Sequence, residues 1–198
     1  MYELLNIDLI SIVKTAGLLG LFLIIFAESG LFFGFFLPGD SLLFTAGLLA
    51  SQGFLNIYFL IILMFLGAIL GDTVGYWFGA KVGHKIFYKD DSFLFNKNHI
   101  SRTKNFYERY GTKTIILARF VPIVRTFAPI LAGVGEMKYA TFLKYNIIGG
   151  ALWGIGIPLL GFGLGITVPS IDKYILPIVV LIIATSLIPV ITEFVKSN

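Results

Sequence analysis

The stretch Leu117-Ala118-Arg119-Phe120-Val121-Pro122-Ile123-Val124-Arg125-Thr126-Phe127-Ala128-Pro129 combines apolar residues, two prolines and two arginines. Between Thr114 and Gly135 those arginines are the only charges. Hydrocarbon rejects an arginine by roughly 2.5 to more than 10 kcal/mol, so a pair held at membrane depth must face protein, water or a bound anion. The prolines oppose an unbroken helix. The stretch therefore predicts a broken, inward-facing element of a membrane protein, with Arg119 and Arg125 as its first candidate site.

The rest of the chain agrees with that setting. Of its 198 residues, 57% are hydrophobic and 13% charged, and the mean hydropathy is +0.90, outside the range of a soluble domain. Ser41 to Ala80 holds one charge, Asp72, while Tyr145 to Ser170 and Tyr174 to Thr192 hold none. Each run is long enough to cross roughly 30 Å of hydrocarbon as a helix. Strand-like alternation is absent, which argues against a barrel. Without cysteine there is no disulfide framework and no thiol chemistry, and the redox compartment stays open. Glu3 and Asp8 precede the first apolar run and Ala27-Glu28-Ser29 is a poor cleavage site, so that segment is expected to be retained.

Outward from the arginines, the elements fall into a pattern. Residues 10–27 read as a first helix. Residues 28–51 are apolar but punctuated at Pro38-Gly39, and each half is too short to span. They predict a re-entrant hairpin, because irregular backbone at membrane depth survives only where protein or a watery cavity satisfies it. Residues 54–80 form a transmembrane helix, 81–113 a basic amphipathic segment, 114–135 a second re-entrant hairpin broken at Pro122 and Pro129, and 139–166 and 172–194 two further spans. Residues 81–113 carry eight basic residues, Lys81, Lys85, Lys89, Lys97, Arg102, Lys104, Arg109 and Lys113, against Asp90, Asp91 and Glu108. That excess places the segment in the cytoplasm by the positive-inside rule. Interleaved aromatics mark interfacial helices. The net charge of +4 thus points to anionic membrane surface rather than nucleic acid.

The expected architecture is a single all-α polytopic membrane domain. Hairpin and long helix occur twice in order, and both long helices carry a Gly-rich turn before a tryptophan, Gly71 through Trp77 and Gly149 through Trp153. With 81–113 inside, the hairpins enter from opposite sides as an inverted repeat. Transporters place substrate where two such broken elements meet.

Along one ideal helix Arg119 and Arg125, six apart, would point about 120° away from each other. A break at Pro122 lets both turn into one cleft, where planar forks suit bidentate capture of phosphate. The plainer alternative is that each arginine pairs with an acid and locks the hairpins. The intramembrane acids are Glu28, Asp40 and Asp72. Sharing a wet cavity with the arginines, they could balance charge or carry protons. Asp40 also reads as a helix N-cap after Pro38-Gly39, Glu28 as a residue reaching the interface, and Asp72 as a packing hub between glycines. No Gly-Lys-Ser/Thr phosphate loop occurs. His84 and His99 lack metal-ligand spacing or a triad. No enzymatic activity, metal or cofactor is expected.

Ala118-Arg119-Phe120-Val121-Pro122-Ile123-Val124-Arg125 continuing to Ala132-Gly133, together with Glu28, Pro38-Gly39-Asp40 and Gly71-Asp72 before Tyr76-Trp77, resembles the DedA family of SNARE-associated or VTT-domain membrane proteins. The likeness runs from residue 28 to about 165. It implies paired re-entrant hairpins and movement of lipid between leaflets. Bacterial members include carriers of undecaprenyl phosphate and eukaryotic relatives are phospholipid scramblases. In the family the positions of Glu28, Asp40, Arg119 and Arg125 matter for function, and proton-motive force is a proposed driver. The expectation is an inner-membrane translocase of a polyprenyl phosphate with membrane lipids as partners, and a homo-oligomer is compatible with it. A general phospholipid scramblase, a proton-coupled transporter of a small soluble ion and a non-transport scaffold are the alternatives.

Overall fold

The computed structural model describes residues 9–31, 39–86 and 113–168, and within them the protein is helical. The elements are α1 (Leu9–Gly30), α2 (Gly39–Ser51), α3 (Ile57–Ile86), α4 (Thr114–Ala118), α5 (Pro122–Val134), α6 (Tyr139–Gly154) and α7 (Gly156–Thr167). Among the described residues three stretches are long and apolar enough to cross a membrane: Ser11–Gly30, Ile57–Val82 and Tyr139–Thr167. The last combines α6 and α7, which meet at Ile155. Residues 87–112, the span expected at 172–194 and Pro38 lie outside the described residues.

Two periodicities on α3 show how the bundle sorts its surface. Ile62, Leu66, Leu70 and Val74 are exposed, whereas Leu60, Met64, Ala68 and Asp72 are buried. Each set repeats at four residues, so one stripe faces out and the other inward. An apolar exterior stripe suits lipid contact. Asp72 therefore sits on the core stripe. The main core joins Leu21 and Ile25 of α1, Leu42 and Leu49 of α2, Leu60 and Met64 of α3, and Trp153 of α6. A smaller cluster joins Tyr76, Ile115, Ala132 and Phe142, with the Tyr76 and Phe142 rings stacked at 4.7 Å.

Five packings frame the site. α1 and α5 lie against α3, α2 lies against α7, and α6 touches both α3 and α4. The approach of α1 to α3 is backbone-to-backbone: a Cβ on Gly30 would come within 2.6 Å of the Gly71 carbonyl oxygen, and one on Gly71 within 2.6 Å of that of Phe26. Only glycine permits that closeness. It sets Glu28, in the last turn of α1, beside the interior rather than at the interface. Glu28 is fully buried.

The break between the arginines has a specific form. α4 ends at Ala118, Arg119 and Phe120 turn, Val121 is extended, and Pro122 opens α5. Proline is well suited to a helix start, where its missing N–H has no partner to lose. Pro129, expected as a second break, instead lies inside a continuous α5. It removes one intrahelical bond without ending the helix, as membrane helices tolerate when neighbours support them.

Candidate functional site

Five charged side chains from five parts of the chain converge in the interior. Arg125, four residues into α5, places Nη1 2.8 Å from Asp40 Oδ1 and pairs through Nη2 with Glu28 Oε1. Arg119, in the turn after α4, pairs with Asp72 on α3. Both guanidinium groups are buried, with side chains 6% and 4% exposed. Desolvating a charge at this depth is costly unless a partner and further hydrogen bonds offset it. The partners are present.

The two arginines are held differently. Arg119 donates to Asp72 Oδ2 and Asn146 Oδ1 and reaches the Ala68 carbonyl at 3.4 Å. Asn146 in turn donates to the Ile69 carbonyl at 3.2 Å. This cluster ties α3 to α6 with one cation against one carboxylate. Around Arg125 there is one cation and two carboxylates, from the end of α1 and the start of α2. The interior thus holds three acids and two bases, an excess of one carboxylate when all are ionised.

Glu28 also accepts a hydrogen bond from the Gly39 N–H at 3.1 Å. A Cβ on Gly39 would overlap that carboxylate, so glycine is needed for the approach. Glu28 therefore caps the start of α2 from another helix, where the backbone N–H groups favour an anion. The N-cap role open to Asp40 in the sequence is filled this way. The Asp40 carboxylate is spent on Arg125 and Trp153. Glu28 Oε2, Arg119 Nε and Arg125 Nε are buried and have no hydrogen-bond partner among the described residues.

Trp153 connects the two clusters. Its indole N–H donates to Asp40 Oδ1 at 2.5 Å, and its ring lies 4.8 Å from the Arg125 Cζ and 6.0 Å from that of Arg119. Sequence reasoning placed all five charges here and missed Asn146 and Trp153. Among the described residues no group of three histidine, cysteine or acidic side chains could hold a metal.

An Arg-Pro-Arg turn, a buried Glu28 and an Asp72 on the core stripe now stand together, and comparison gives the arrangement a lineage. The VTT domain matches residues 37–163. This chain belongs to the VTT-domain, or DedA, family. It is 46% identical to Protein DedA of Escherichia coli (strain K12), over 89% of this chain and 81% of that protein. It is 44% identical to an uncharacterized membrane protein of Mycobacterium tuberculosis, over 90% and 79%. Inner membrane protein YqjA of Escherichia coli is 32% identical, over 82% and 77%. No solved structure matches. With three apolar helices of spanning length and relatives named as membrane proteins, this VTT-domain protein is a membrane protein.

Proposed function

We propose that this protein carries a polyprenyl phosphate, most simply undecaprenyl phosphate, between the leaflets of a bacterial inner membrane. The observation that carries the reading is Arg125, a buried cation shared by two carboxylates at the end of α1 and the start of α2. A phosphate presents the same bidentate acceptor geometry as a carboxylate. It can therefore exchange with Glu28 and Asp40 for the guanidinium. Protons taken up by the released acids would keep the interior near neutrality, which couples lipid movement to a proton gradient. Arg119 adds a second cation beside the exchange and Asp72 balances it. The prenyl tail remains in lipid.

Element lengths support a pair of re-entrant hairpins arranged as an inverted repeat. α2 and α5 have 13 residues each, about 20 Å, short of the roughly 30 Å hydrocarbon layer. Asp40 lies seven residues before Gly47 and Arg125 eight before Gly133, so the two short helices contribute the two halves of an ion pair at nearly matching positions.

The distribution of charge supports an orientation with 81–113 in the cytoplasm. The Tyr76 hydroxyl donates to the Met137 carbonyl, which brings Lys81 and Lys138 to one end. Lys113 begins α4, whose Ile115 packs with Phe142 near the same end. Lys14 lies at the opposite end over the Phe54 ring, at 4.1 Å. More basic residues at one end mark it as cytoplasmic. The name of YqjA as an inner membrane protein fits this location.

Reconstitution in liposomes with labelled undecaprenyl phosphate tests the reading. Wild type should accelerate leaflet exchange over empty liposomes, and Arg125→Ala should abolish the acceleration. Wild-type exchange no faster than protein-free vesicles would refute it. Equal transport of zwitterionic lipid, independent of a pH gradient, would turn the protein into a general scramblase.

A further inference from the structure

When both carboxylates let go of Arg125, something else must hold it. A buried guanidinium stripped of both acids faces a large desolvation penalty before any phosphate arrives. Carboxylates and phosphates engage the edge of the guanidinium plane, where its N–H groups point. An aromatic ring engages a cation from the side of its own face. A cation contact through the ring does not use the N–H groups that the carboxylates occupy, so one kind of partner can change while the other stays.

Trp153 has the placement to be that constant partner. It is 1% exposed, its ring centroid is 4.8 Å from the Arg125 Cζ, and tryptophan is the strongest of the aromatic cation binders. Its N–H simultaneously holds Asp40 Oδ1. One side chain thus carries the cation on its ring and that cation's carboxylate on its edge. Arg119, at 6.0 Å, is at the outer limit of such a contact. The charged groups of the site are Glu28 from α1, Asp40 from α2, Asp72 from α3, Arg119 from the turn after α4 and Arg125 from α5. Arg119 has Asp72 and Asn146, and Glu28 has the Gly39 N–H, whereas the ion-pair partners of Arg125 are the two acids that would exchange.

We propose that Trp153 is a positioning residue that retains the Arg125 guanidinium, and separately the Asp40 carboxylate, while an anionic phosphate headgroup exchanges for Glu28 and Asp40. The assignment rests on the translocation reading for its role in transport, but its physical content, a response of Trp153 to a bound anion, can be measured apart from transport.

The sequence supplies a convenient reporter, since Trp77 and Trp153 are its two tryptophans. Trp77 is 45% exposed and contacts Tyr76, Tyr139 and Lys81 rather than the arginines. In a Trp77→Phe protein reconstituted in phosphatidylcholine liposomes, tryptophan emission comes from Trp153 alone. Including undecaprenyl phosphate in those liposomes should shift that emission, and Arg125→Gln should remove the shift. Trp153→Phe keeps a ring without the N–H and should slow transport a few-fold, whereas Trp153→Leu, which loses both, should slow it roughly tenfold or more. Thermal unfolding of each variant separates this from loss of fold, and the Phe variant remains decisive where Leu fails to fold.

Transport by the Trp77→Phe protein with emission that ignores the lipid, or with Trp153→Phe as active as wild type, overturns the positioning role and leaves translocation standing. An Arg125-dependent emission shift without any transport upholds Trp153 as the anion-side platform and refutes translocation. Neither shift nor transport refutes both.

Discussion

Arg119 and Arg125 are six residues apart in sequence and both are buried, yet their surroundings differ in kind. Arg119 is fixed to the middle of two regular helices by Asp72, Asn146 and the Ala68 carbonyl. Arg125 is held between helix ends, by Glu28 in the last turn of α1 and Asp40 in the first turn of α2. The first cluster is balanced in charge and cross-linked through an amide. The second carries one acid too many, and its acids have other donors to fall back on, Gly39 N–H for Glu28 and Trp153 N–H for Asp40. The contrast separates a strut from an exchangeable contact. On the proposed translocation reading, identical residues in one motif serve stability in one case and ligand exchange in the other.

The sharpest way to break that contrast is to remove each arginine in turn. Arg119→Ala strands Asp72 in the core, and loss of one member of a buried ion pair costs about 3–5 kcal/mol. Thermal unfolding in detergent should show a large drop in midpoint. Replacing both partners, Arg119→Met with Asp72→Leu, should recover most of it, because a well-packed apolar pair removes the stranded charge. Arg125→Ala should lower the midpoint much less while abolishing transport. Equal destabilisation by the two alanine variants would erase the distinction between strut and exchangeable contact.

Asn146→Ala gives a smaller effect on the same side. It deletes a hydrogen bond to a charged group, worth about 1.5–3 kcal/mol, and leaves Glu28, Asp40 and Arg125 untouched. Lower thermal stability with transport per folded molecule near wild type is the expected result. Transport lost as completely as in Arg125→Ala would place Arg119 in the exchange rather than beneath it.

How much of this was legible in the sequence follows from what hydropathy can see. Hydropathy singled out Glu28, Asp40, Asp72, Arg119 and Arg125 as charges in apolar runs, but it left Glu28 a path to the interface, Asp40 a role as an N-cap and Asp72 one as a packing hub. The same logic gave the apolar helices expected at 10–27, 54–80 and 139–166, which correspond to Ser11–Gly30, Ile57–Val82 and Tyr139–Thr167. Partner choice was not legible, because the pairs Asp72 with Arg119 and Asp40 with Arg125 are 47 and 85 residues apart and nothing local distinguishes the two alternatives. Asn146 and Trp153 were invisible to a search for charge: one is a neutral amide in an uncharged run, the other an aromatic among many. Glu28 as the cap of α2 was hidden for a further reason. A cap is normally sought within its own helix, and here it comes from the preceding one.

Pro129 provides the finest test of the contrast, since it lies four residues after Arg125 inside α5. Without an N–H it cannot close the helical bond to the Arg125 carbonyl, and its ring crowds that turn. The backbone at Arg125 therefore lacks one bond of a regular helix, which on the proposed reading favours a side chain that exchanges partners. The ring is accommodated by α3, where a Cβ on Gly75 would lie 3.4 Å from the Pro129 Cβ. Pro129→Ala restores the missing donor and gives up part of that contact. The balance of these terms predicts a net stabilisation of about 1 kcal/mol, read as a small rise in unfolding midpoint. A more rigid α5 should at the same time slow transport, because Arg125 leaves its carboxylates less readily when its backbone is pinned. Higher stability with unchanged transport would show that the exchange proceeds through side chains alone, on a backbone as fixed as the one that holds Arg119.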